Sequence, residues 1–555
     1  MAKKLKKNGF IDGTFITYIS VIFTKILGAL YIIPFTAVIG ENGMVIYSCA
    51  YLIYNLVLNA STSGIPTAMS ILISEHNTKG LHKTKMKYYR VGMAVTMLAG
   101  FLLFLLLEIF AGNISLFYIS QVAKNTSQMS VGALTNAIRS VGFCLLVVPF
   151  LSIFRGFLQG QRFLAVSSYS QVIEQISRIA VVLAGAYIAI NVLGFEISVG
   201  VNIALLGAGI SAAVAAIYLK LKAKNSKDVL ISTSDETDVP TTKYIIKRFL
   251  SYSIPVFIVA ISGNIYDLTD NMVVVSLISG LGYKNADLIG SIISTYGPKI
   301  SMIVFSLSIG LTNSIVPAMA AHVANKEFKE ANKKLCTAVN IILGVSVPMS
   351  MGIFFLSDPI YAMFYGKNGA EYGGFMLKFI ILISVVSSIK ITLCMAMQGL
   401  KKTVTVCVAT ITGILVNIGL DYALILLFYH VFGLGEKSYI GAFIATFIGQ
   451  MTCILIILVS LRKSLNFRYG SIFRTGIKIL IPTVVMSVVV GLLQSFLPVS
   501  STRGISQILH LCVYAAVGGI IYLALAYKSG ALVQVFGENT VNKVLSKLHL
   551  KNKSI

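Results

Sequence analysis

The sequence predicts an all-α polytopic membrane protein with about 14 transmembrane helices. Of its 555 residues, 56% are hydrophobic and only 12% are charged, which is unlike a soluble globular domain. The apolar residues form long runs, and roughly 20 in a row are enough to cross the hydrocarbon core of a bilayer. The formal charge of +25 lies mostly in the connections between these runs. We therefore attribute it to membrane orientation and expect no nucleic-acid partner.

The apolar runs define the spans and their orientation. Lysine and arginine number 33 in one set of alternate connections and five in the other set. Because cytoplasmic connections carry the excess of basic residues, we expect a cell-membrane protein with both termini in the cytoplasm. The first run is too long for a cleaved signal peptide and is interpreted as a retained helix. The predicted spans are 10–39, 43–73, 88–112, 131–158, 166–190, 195–219, 248–276, 296–321, 334–357, 373–399, 403–430, 438–461, 475–497 and 504–527.

The spans are grouped into two similar halves. Spans two and eight both end in small or polar residues, a β-branched residue, proline and Ala-Met, at 63–69 and 313–319. Such a repeat is typical of transporters whose substrate site lies between the halves. We expect two pseudo-symmetric six-helix lobes and two C-terminal helices, in this order: lobe 1–219, flexible cytoplasmic linker 220–247, lobe 248–461, spans 13 and 14 in 462–527, and tail 528–555.

The C-terminal tail is the predicted contact with anionic membrane lipids. Lys543, Lys547 and Lys551 share one helical face, whereas valines and leucines lie on another. This pattern is typical of a basic amphipathic helix that lies on an anionic leaflet. A solvated cytoplasmic tail is the alternative interpretation.

No motif in the chain indicates an enzyme, a cofactor or a metal site. The Walker A and H-E-x-x-H sequences are absent, and the seven cysteines lie in or beside apolar runs without metal-binding or disulfide spacing. The longest predicted outer connections, 113–130 and 277–295, are too short for the charged loops of a membrane transferase. We therefore expect a monomeric, non-catalytic carrier with a polar central cavity.

The first span carries an ionisable residue at its centre, Lys25. A charge at bilayer depth is costly and by default indicates a functional path. The alternative is that Lys25 extends to the membrane surface and has no partner inside. Span two adds Asn55 and Ser63 as polar candidates for the same site. Small and hydroxylic residues share one face of span one beside Lys25, namely Thr14, Thr17, Thr24, Gly28 and Tyr31.

Several polar pairs lie four residues apart within one span. Glu174 and Arg178 should pair along their helix, and we favour a structural role for them over a cavity role. Asn417 and Asp421 have the same spacing in span eleven. Other basic residues lie near span ends and are expected to extend to the membrane surface, namely Arg155, Lys378 and Lys478.

The remaining intramembrane charges are candidates for coupling or for lining the cavity. Asp267 and Asp270 lie three residues apart in span seven. Lys299, in span eight, is placed to pair with either of them. Arg139 and Lys390 are solitary in their spans and are further candidate cavity charges.

The order of several short stretches resembles the polysaccharide-transport branch of the MOP exporter superfamily, in particular the MurJ-type lipid II flippases and stage V sporulation protein B. The resemblance implies export of an undecaprenyl-pyrophosphate-linked sugar by alternating access, with cations of spans one, two and eight on the pyrophosphate. Lys25 and Lys299 match two of those places. Two departures make the cavity less basic: Ile32 replaces a frequent basic residue, and span two has no arginine. The stretches are 24–28, 33–34, 40–43, 61–75, 296–321 and 359–366.

The sequence therefore favours a flippase for a lipid-linked oligosaccharide, with the peptidoglycan precursor lipid II as the first candidate. Another lipid-linked polysaccharide precursor is one alternative. A cation-coupled multidrug antiporter is another, and Asp267 and Asp270 keep it open. Lys25 and Lys299 argue against it, because a cavity cation repels a cationic drug.

Overall fold

The computed structural model describes residues 10–62, 64–122, 130–224, 236, 239–305, 319, 327–366, 369–400, 402–465, 467, 470–497, 505–536, 538 and 541–542. These residues are helical except for short connections, and no strand occurs among them. Thirteen helical segments in this described part are long and apolar enough to cross a membrane. The all-α polytopic class is confirmed.

The helices follow the predicted apolar runs. Short π-helical turns at Tyr118–Val122, Ile188–Val192 and Ile292–Tyr296 adjoin three of them. The helices are α1 Phe10–Leu30, α2 Ile32–Thr62, α3 Gly64–Thr78, α4 His82–Phe117, α5 Val131–Gly142, α6 Val148–Gly160, α7 Leu164–Tyr187, α8 Ile197–Lys224, α9 Thr242–Gly280, α10 Ala286–Ser291, α11 297–305, α12 Phe328–Phe355, α13 Ser357–Tyr365, α14 Ala370–Gly399, α15 Thr403–His430, α16 Ile440–Leu465, α17 Gly470–Phe496, α18 Ile505–Lys528 and α19 Ala531–Phe536.

The predicted turn between spans one and two is narrower than expected. Only Gly40 leaves the helical conformation, with φ 67° and ψ −171°, whereas residues 41–43 are helical. A positive φ favours glycine, which has no Cβ. Tyr31 and Phe35, before Gly40, contact Tyr47, after it, so the chain reverses direction at Gly40, as predicted for two consecutive spans. The apolar segment Ile19–Asn55 includes this reversal and parts of both spans, so one of the thirteen segments corresponds to two predicted spans.

The chain forms two compact units. Unit 1 contains residues 1–299 and 417–445, and unit 2 contains residues 300–416 and 446–555. These units cut across the predicted lobe boundaries, because α9 packs on α2 and α3 within unit 1. The division into lobes at 1–219 and 248–461 stays a prediction.

Unit 1 contains a close helix contact between α3 and α6. A Cβ atom on Gly156 would lie 2.6 Å from the Pro66 carbonyl oxygen, and one on Gly160 would lie 2.7 Å from Cβ of Ile73. The two glycines form a GxxxG sequence, which allows transmembrane helix backbones to approach closely. Small residues therefore hold α6 against α3.

The described part of the linker contacts the start of α4. The Glu236 carboxylate accepts hydrogen bonds from the backbone N–H groups of Lys83, at 2.7 Å, and Thr84, at 2.9 Å. Lys87 donates to the Pro240 carbonyl at 2.7 Å. A carboxylate at a helix N-terminus satisfies unpaired N–H groups and favours the helix dipole.

Unit 2 has its own core around the last helices. Side chains of α12, α17, α18 and α19 form one buried cluster. The Tyr522 hydroxyl donates to the Gly344 carbonyl at 2.6 Å, which ties α18 to α12. A Cβ atom on Gly344 would lie 3.0 Å from Val535, so α19 packs closely on the same helix.

Candidate functional site

A row of tyrosines lines one face of α2. Tyr47, Tyr51 and Tyr54 are separated by four and three residues, which places them on one helical face. The rings of Tyr47 and Tyr51 stack with centroids 5.1 Å apart, and those of Tyr51 and Tyr54 are 5.3 Å apart. The hydroxyl of Tyr31, between α1 and α2, lies 3.0 Å from that of Tyr47. These four tyrosines, the tyrosine row, bring ring faces and hydroxyl groups together inside unit 1.

Lys299, at the start of α11, is enclosed by two tyrosines of this row. Its ammonium donates to the Tyr51 hydroxyl at 2.7 Å and to the Tyr31 hydroxyl at 3.4 Å. The same nitrogen lies 4.3 Å from the ring centroid of Tyr51, a distance typical of a cation–π contact. The predicted pairing of Lys299 with Asp267 or Asp270 is not what the structure has. Lys299 bonds to phenol oxygens instead and is only 5% exposed.

Lys25 belongs to the same region. It is partly exposed on α1 and lies within electrostatic range of Tyr51, Lys299 and Arg178. Within the described residues it makes no hydrogen bond or ion pair. Helix α1 reaches this position because Gly28 allows it close to α7, where a Cβ atom would lie 3.2 Å from the Gln175 amide. The ammonium group of Lys25 is therefore not bound by any described side chain.

Arg178 connects the tyrosine row to a buried ionic network. Its guanidinium donates to Glu174 at 2.6 Å and lies 5.9 Å from the ring centroid of Tyr54. The predicted Glu174–Arg178 pair is thus present. Arg155 on α6 joins it, with 2.8 Å to Glu174 and 2.8 Å to the Ser170 hydroxyl. The prediction that Arg155 extends to the membrane surface was wrong, because Glu174 supplies a partner inside the unit.

The network has an excess of positive charge. Two guanidinium groups share the single carboxylate of Glu174, and Lys25 lies within electrostatic range of both Arg178 and Lys299. Nη2 of Arg155 and Nε of Arg178 are buried and have no hydrogen-bond partner in the described part of the chain. Charges separated by little water interact strongly, so this arrangement attracts an anion. Lysine binds phosphate as a point charge, whereas arginine also donates in a planar fork.

We expect Glu174→Gln to destabilise the protein, because it leaves two buried guanidinium groups without a charged partner. Removing one member of a buried ionic network costs about 3–5 kcal/mol. Thermal unfolding of the purified protein in detergent should shift to lower temperature. Glu196→Gln, at an exposed carboxylate, is the matched control and should have no effect. An unshifted unfolding curve for Glu174→Gln would show that the network does not stabilise unit 1.

The structure describes one of the two polar site residues predicted in span two, Asn55, but not the other, Ser63. Asn55 lies four residues after Tyr51 on α2 and is partly exposed, so it shares the face of the tyrosine row. Ser63 lies outside the described residues. The predicted tail helix around 543–551 also lies outside them.

A carboxyl cluster occupies another part of unit 1. The Asn417 amide donates to Asp270 and to Asp421, at 3.1 Å each. All three side chains are buried. Asp267, one turn before Asp270 on α9, is partly exposed. Two carboxyl groups that accept from one amide N–H₂ group are suited to share a proton, because two carboxylates this close repel each other when both are ionised.

The two predicted solitary cations both have neighbours. Arg139 on α5 lies 3.4 Å from Glu108 on α4, and its side chain is half exposed. Lys390 is buried in unit 2, where its charge acts on Cys394 and Cys453. Arg139 therefore has an ionic partner on another helix, whereas Lys390 stays a candidate cavity charge. Arg139 is absorbed in an ion pair and is not a member of the site around the tyrosine row.

The sequence interpretation missed most of the tyrosine row. Tyr31 was recognised as polar, but Tyr47, Tyr51 and Tyr54 were treated as part of an apolar run. Their spacing of four and three residues, ending next to Asn55, was the available signal.

Comparisons with known proteins agree with this architecture. The family model described as polysaccharide biosynthesis protein matches residues 10–320, and the MatE model matches residues 255–423. The chain is 27% identical to lipid II flippase MurJ of Bacillus subtilis (strain 168) over 538 residues, which is 95% of this chain and 96% of that protein. It is 22% identical to stage V sporulation protein B of the same organism over 426 residues, 76% and 78% of the two chains.

Two solved structures share the fold. The structure titled lipid II flippase MurJ, inward closed conformation, has a TM-score of 0.65 at 18% identity and covers 94% of this chain and 99% of that chain. An inward-facing multidrug resistance MATE family transporter of the MOP superfamily has a TM-score of 0.61 at 16% identity, covering 81% and 99%. The polysaccharide biosynthesis model covers more than half of the sequence. The chain therefore belongs to the polysaccharide biosynthesis protein family, and it is a multi-pass membrane protein.

Proposed function

We propose that this protein moves a lipid-linked saccharide with a pyrophosphate group across the cell membrane, and that lipid II is its first candidate substrate. The observation that carries the proposal is the convergence of Lys25, Lys299 and Arg178 on the tyrosine row. A cationic site inside a membrane unit needs an anionic ligand, because excess buried charge is costly. The similarity to MurJ along nearly the whole chain supports the same substrate class.

The site offers a separate contact for each part of such a substrate. Lys25, whose ammonium has no hydrogen-bond or ion-pair partner among the described residues, binds the first phosphate. Lys299 exchanges its hydrogen bonds to Tyr51 and Tyr31 for phosphate oxygens, which are stronger acceptors because they are charged. Tyr51, the partly exposed ring of the row, then suits the apolar face of a sugar ring.

A multidrug antiporter is disfavoured by the same residues. Among the described residues, the cationic groups around the tyrosine row outnumber the one carboxylate that binds them, Glu174. A cationic drug would be repelled from such a site. The protein shares the fold of MATE transporters, but a fold does not determine the charges at its binding site.

The experiment that tests the function is depletion of the protein in its own bacterium, followed by analysis of lipid-linked precursors. We expect lipid II to accumulate in the inner leaflet while its synthesis continues. Accumulation of a different undecaprenyl-linked sugar would keep the flippase mechanism and change the substrate. No accumulation of any lipid-linked saccharide, in cells that lack related flippases, would contradict the proposal.

The orientation proposed for the chain places both termini and the linker in the cytoplasm. Single cysteines at Thr242 and Ser120, both exposed, test it in a background without the seven native cysteines. A membrane-impermeant maleimide should label Ser120→Cys in intact cells. Thr242→Cys should react only after the membrane is permeabilised. The reverse labelling would invert the topology.

The carboxyl cluster is the proposed coupling site. Asp421→Asn removes one of its two acids while keeping a side chain of the same size. We expect transport to lose its stimulation by an imposed pH gradient, because the remaining carboxyl has no partner with which to share a proton. Asp358→Asn, at an exposed carboxylate, should leave that stimulation intact. Equal stimulation of Asp421→Asn and the native protein would exclude the cluster from coupling.

A further inference from the structure

A cavity that the proposed transport does not use lies in unit 2. It occurs where the first turns of α17 meet the turn between α18 and α19, and its volume is about 770 Å³. Cavities of this size hold small ligands or lipid headgroups. Its lining residues are Arg474, Ile477, Lys478, Gly530, Val533 and Gln534.

The cavity wall is held in place by the core of unit 2. Gly530 has φ 70° and reverses the chain between α18 and α19, a conformation that favours glycine. Ala531 and Val535 are then buried in the same cluster as Ile479 and Tyr522. Short helix α19 is thus anchored on one face, while Val533 and Gln534 remain at the cavity.

The polar lining is suited to an anion with hydroxyl or ester groups. Arg474 and Lys478 are four residues apart on α17 and therefore share a face. Both are exposed, and neither forms an ion pair with a described residue. The Gln534 side-chain oxygen is buried and has no hydrogen-bond partner among the described residues. Two cations and an unsatisfied amide therefore face one cavity.

The surroundings of the cavity are suited to acyl chains. The side chains on the outer face of α17 are apolar and each is more than half exposed. In a transmembrane helix, such a face contacts lipid. The apolar outer residues next to the two cations are Phe473, Ile477, Leu480 and Ile481.

We propose that this cavity binds the headgroup of an anionic phospholipid, with the phosphate at Arg474 and Lys478 and a headgroup hydroxyl at Gln534. The acyl chains lie along the apolar face of α17. The basic end of α17 follows the connection that the charge bias places in the cytoplasm, so the lipid comes from the inner leaflet. Anionic lipids of that leaflet attract basic groups at this depth. This site is separate from the tyrosine row and does not depend on what that site transports.

The absence of tryptophan in the chain gives a direct test. Ile477→Trp introduces a single fluorophore at the cavity, in vesicles of phosphatidylcholine with either brominated phosphatidylglycerol or brominated phosphatidylcholine. We expect about fivefold tighter quenching by the anionic lipid. Val484→Trp, on the lipid-exposed face of the same helix, reports general lipid contact and should show no such preference.

Neutralising the two cations completes the test. Arg474→Gln with Lys478→Gln should abolish the preference seen at Ile477→Trp. The matched pair Arg462→Gln with Lys463→Gln, two exposed cations at the end of α16, should preserve it. Equal quenching by both lipids, or a preference that survives loss of Arg474 and Lys478, would overturn the proposal.

Discussion

Lys25→Ala should lower transport of the lipid-linked saccharide about tenfold or more without reducing the amount of protein in the membrane. Its ammonium makes no contact that holds the described fold together, so the substitution should weaken substrate binding and leave the fold intact. A hydrogen bond to a charged group contributes about 1–3 kcal/mol, and each 1.4 kcal/mol corresponds to about tenfold in binding. Lys25→Arg should retain much of the activity, because it keeps the charge and adds a fork that fits phosphate.

Lys25→Gln separates charge from polarity. An anion site needs the charge, so we expect Lys25→Gln to resemble Lys25→Ala in the transport assay. Lys378→Ala is the matched control, because that lysine is partly exposed near a span end and lies 4.0 Å from Asp358. Normal flux in both Lys25→Ala and Lys25→Gln at normal protein levels would mean that Lys25 only extends to the membrane surface.

A disulfide between α2 and α10 should stop transport almost completely. The hydroxyl groups of Ser48 and Ser291 are 2.7 Å apart and buried, so cysteines at the two positions are within disulfide reach. At the basic end, Arg248 of α9 binds Glu75 of α3 at 2.7 Å. In the alternating access that we propose, the site opens toward one side only when the contact on that side separates.

The cross-link is tested in a background without native cysteines, since Cys49 lies beside Ser48. Oxidised Ser48→Cys/Ser291→Cys protein should be inactive, and a thiol reductant should restore its transport. Each single-cysteine variant should stay active under oxidation. Undiminished transport by the fully cross-linked protein would count against movement between α2 and α10.

Local spacing predicted the parts of this molecule that lie within one helix. The Glu174–Arg178 pair follows from a separation of four residues, and the apolar runs follow from composition. Gly40 was placed in a turn, but a one-residue break could not be told from a four-residue turn by composition. Both involve the same glycine and polar neighbours.

Partners on other helices were not predictable in the same way. Arg155 has no acidic residue near it in the sequence, so its position near a span end predicted that it extends to the membrane surface. In the structure, Glu174 of the next helix is 2.8 Å away. Arg139 likewise pairs with Glu108 from another helix. Tyr51 is an ordinary aromatic residue of an apolar span in the sequence. Its hydroxyl accepts a hydrogen bond from Lys299, which is 248 positions away in the chain. Contacts between distant segments depend on packing, and spacing carries no information about them.

The central claim is that the cationic groups at the tyrosine row carry the pyrophosphate of a lipid-linked saccharide across the membrane. The direct measurement uses purified protein in vesicles that contain labelled lipid II, with an external enzyme that removes the label from the outer leaflet only. We predict complete loss of label with the native protein, and loss of only the outer-leaflet fraction with Lys25→Ala or with no protein. Equal loss of label with the native protein and Lys25→Ala, or no more loss with the native protein than in protein-free vesicles, would contradict the claim.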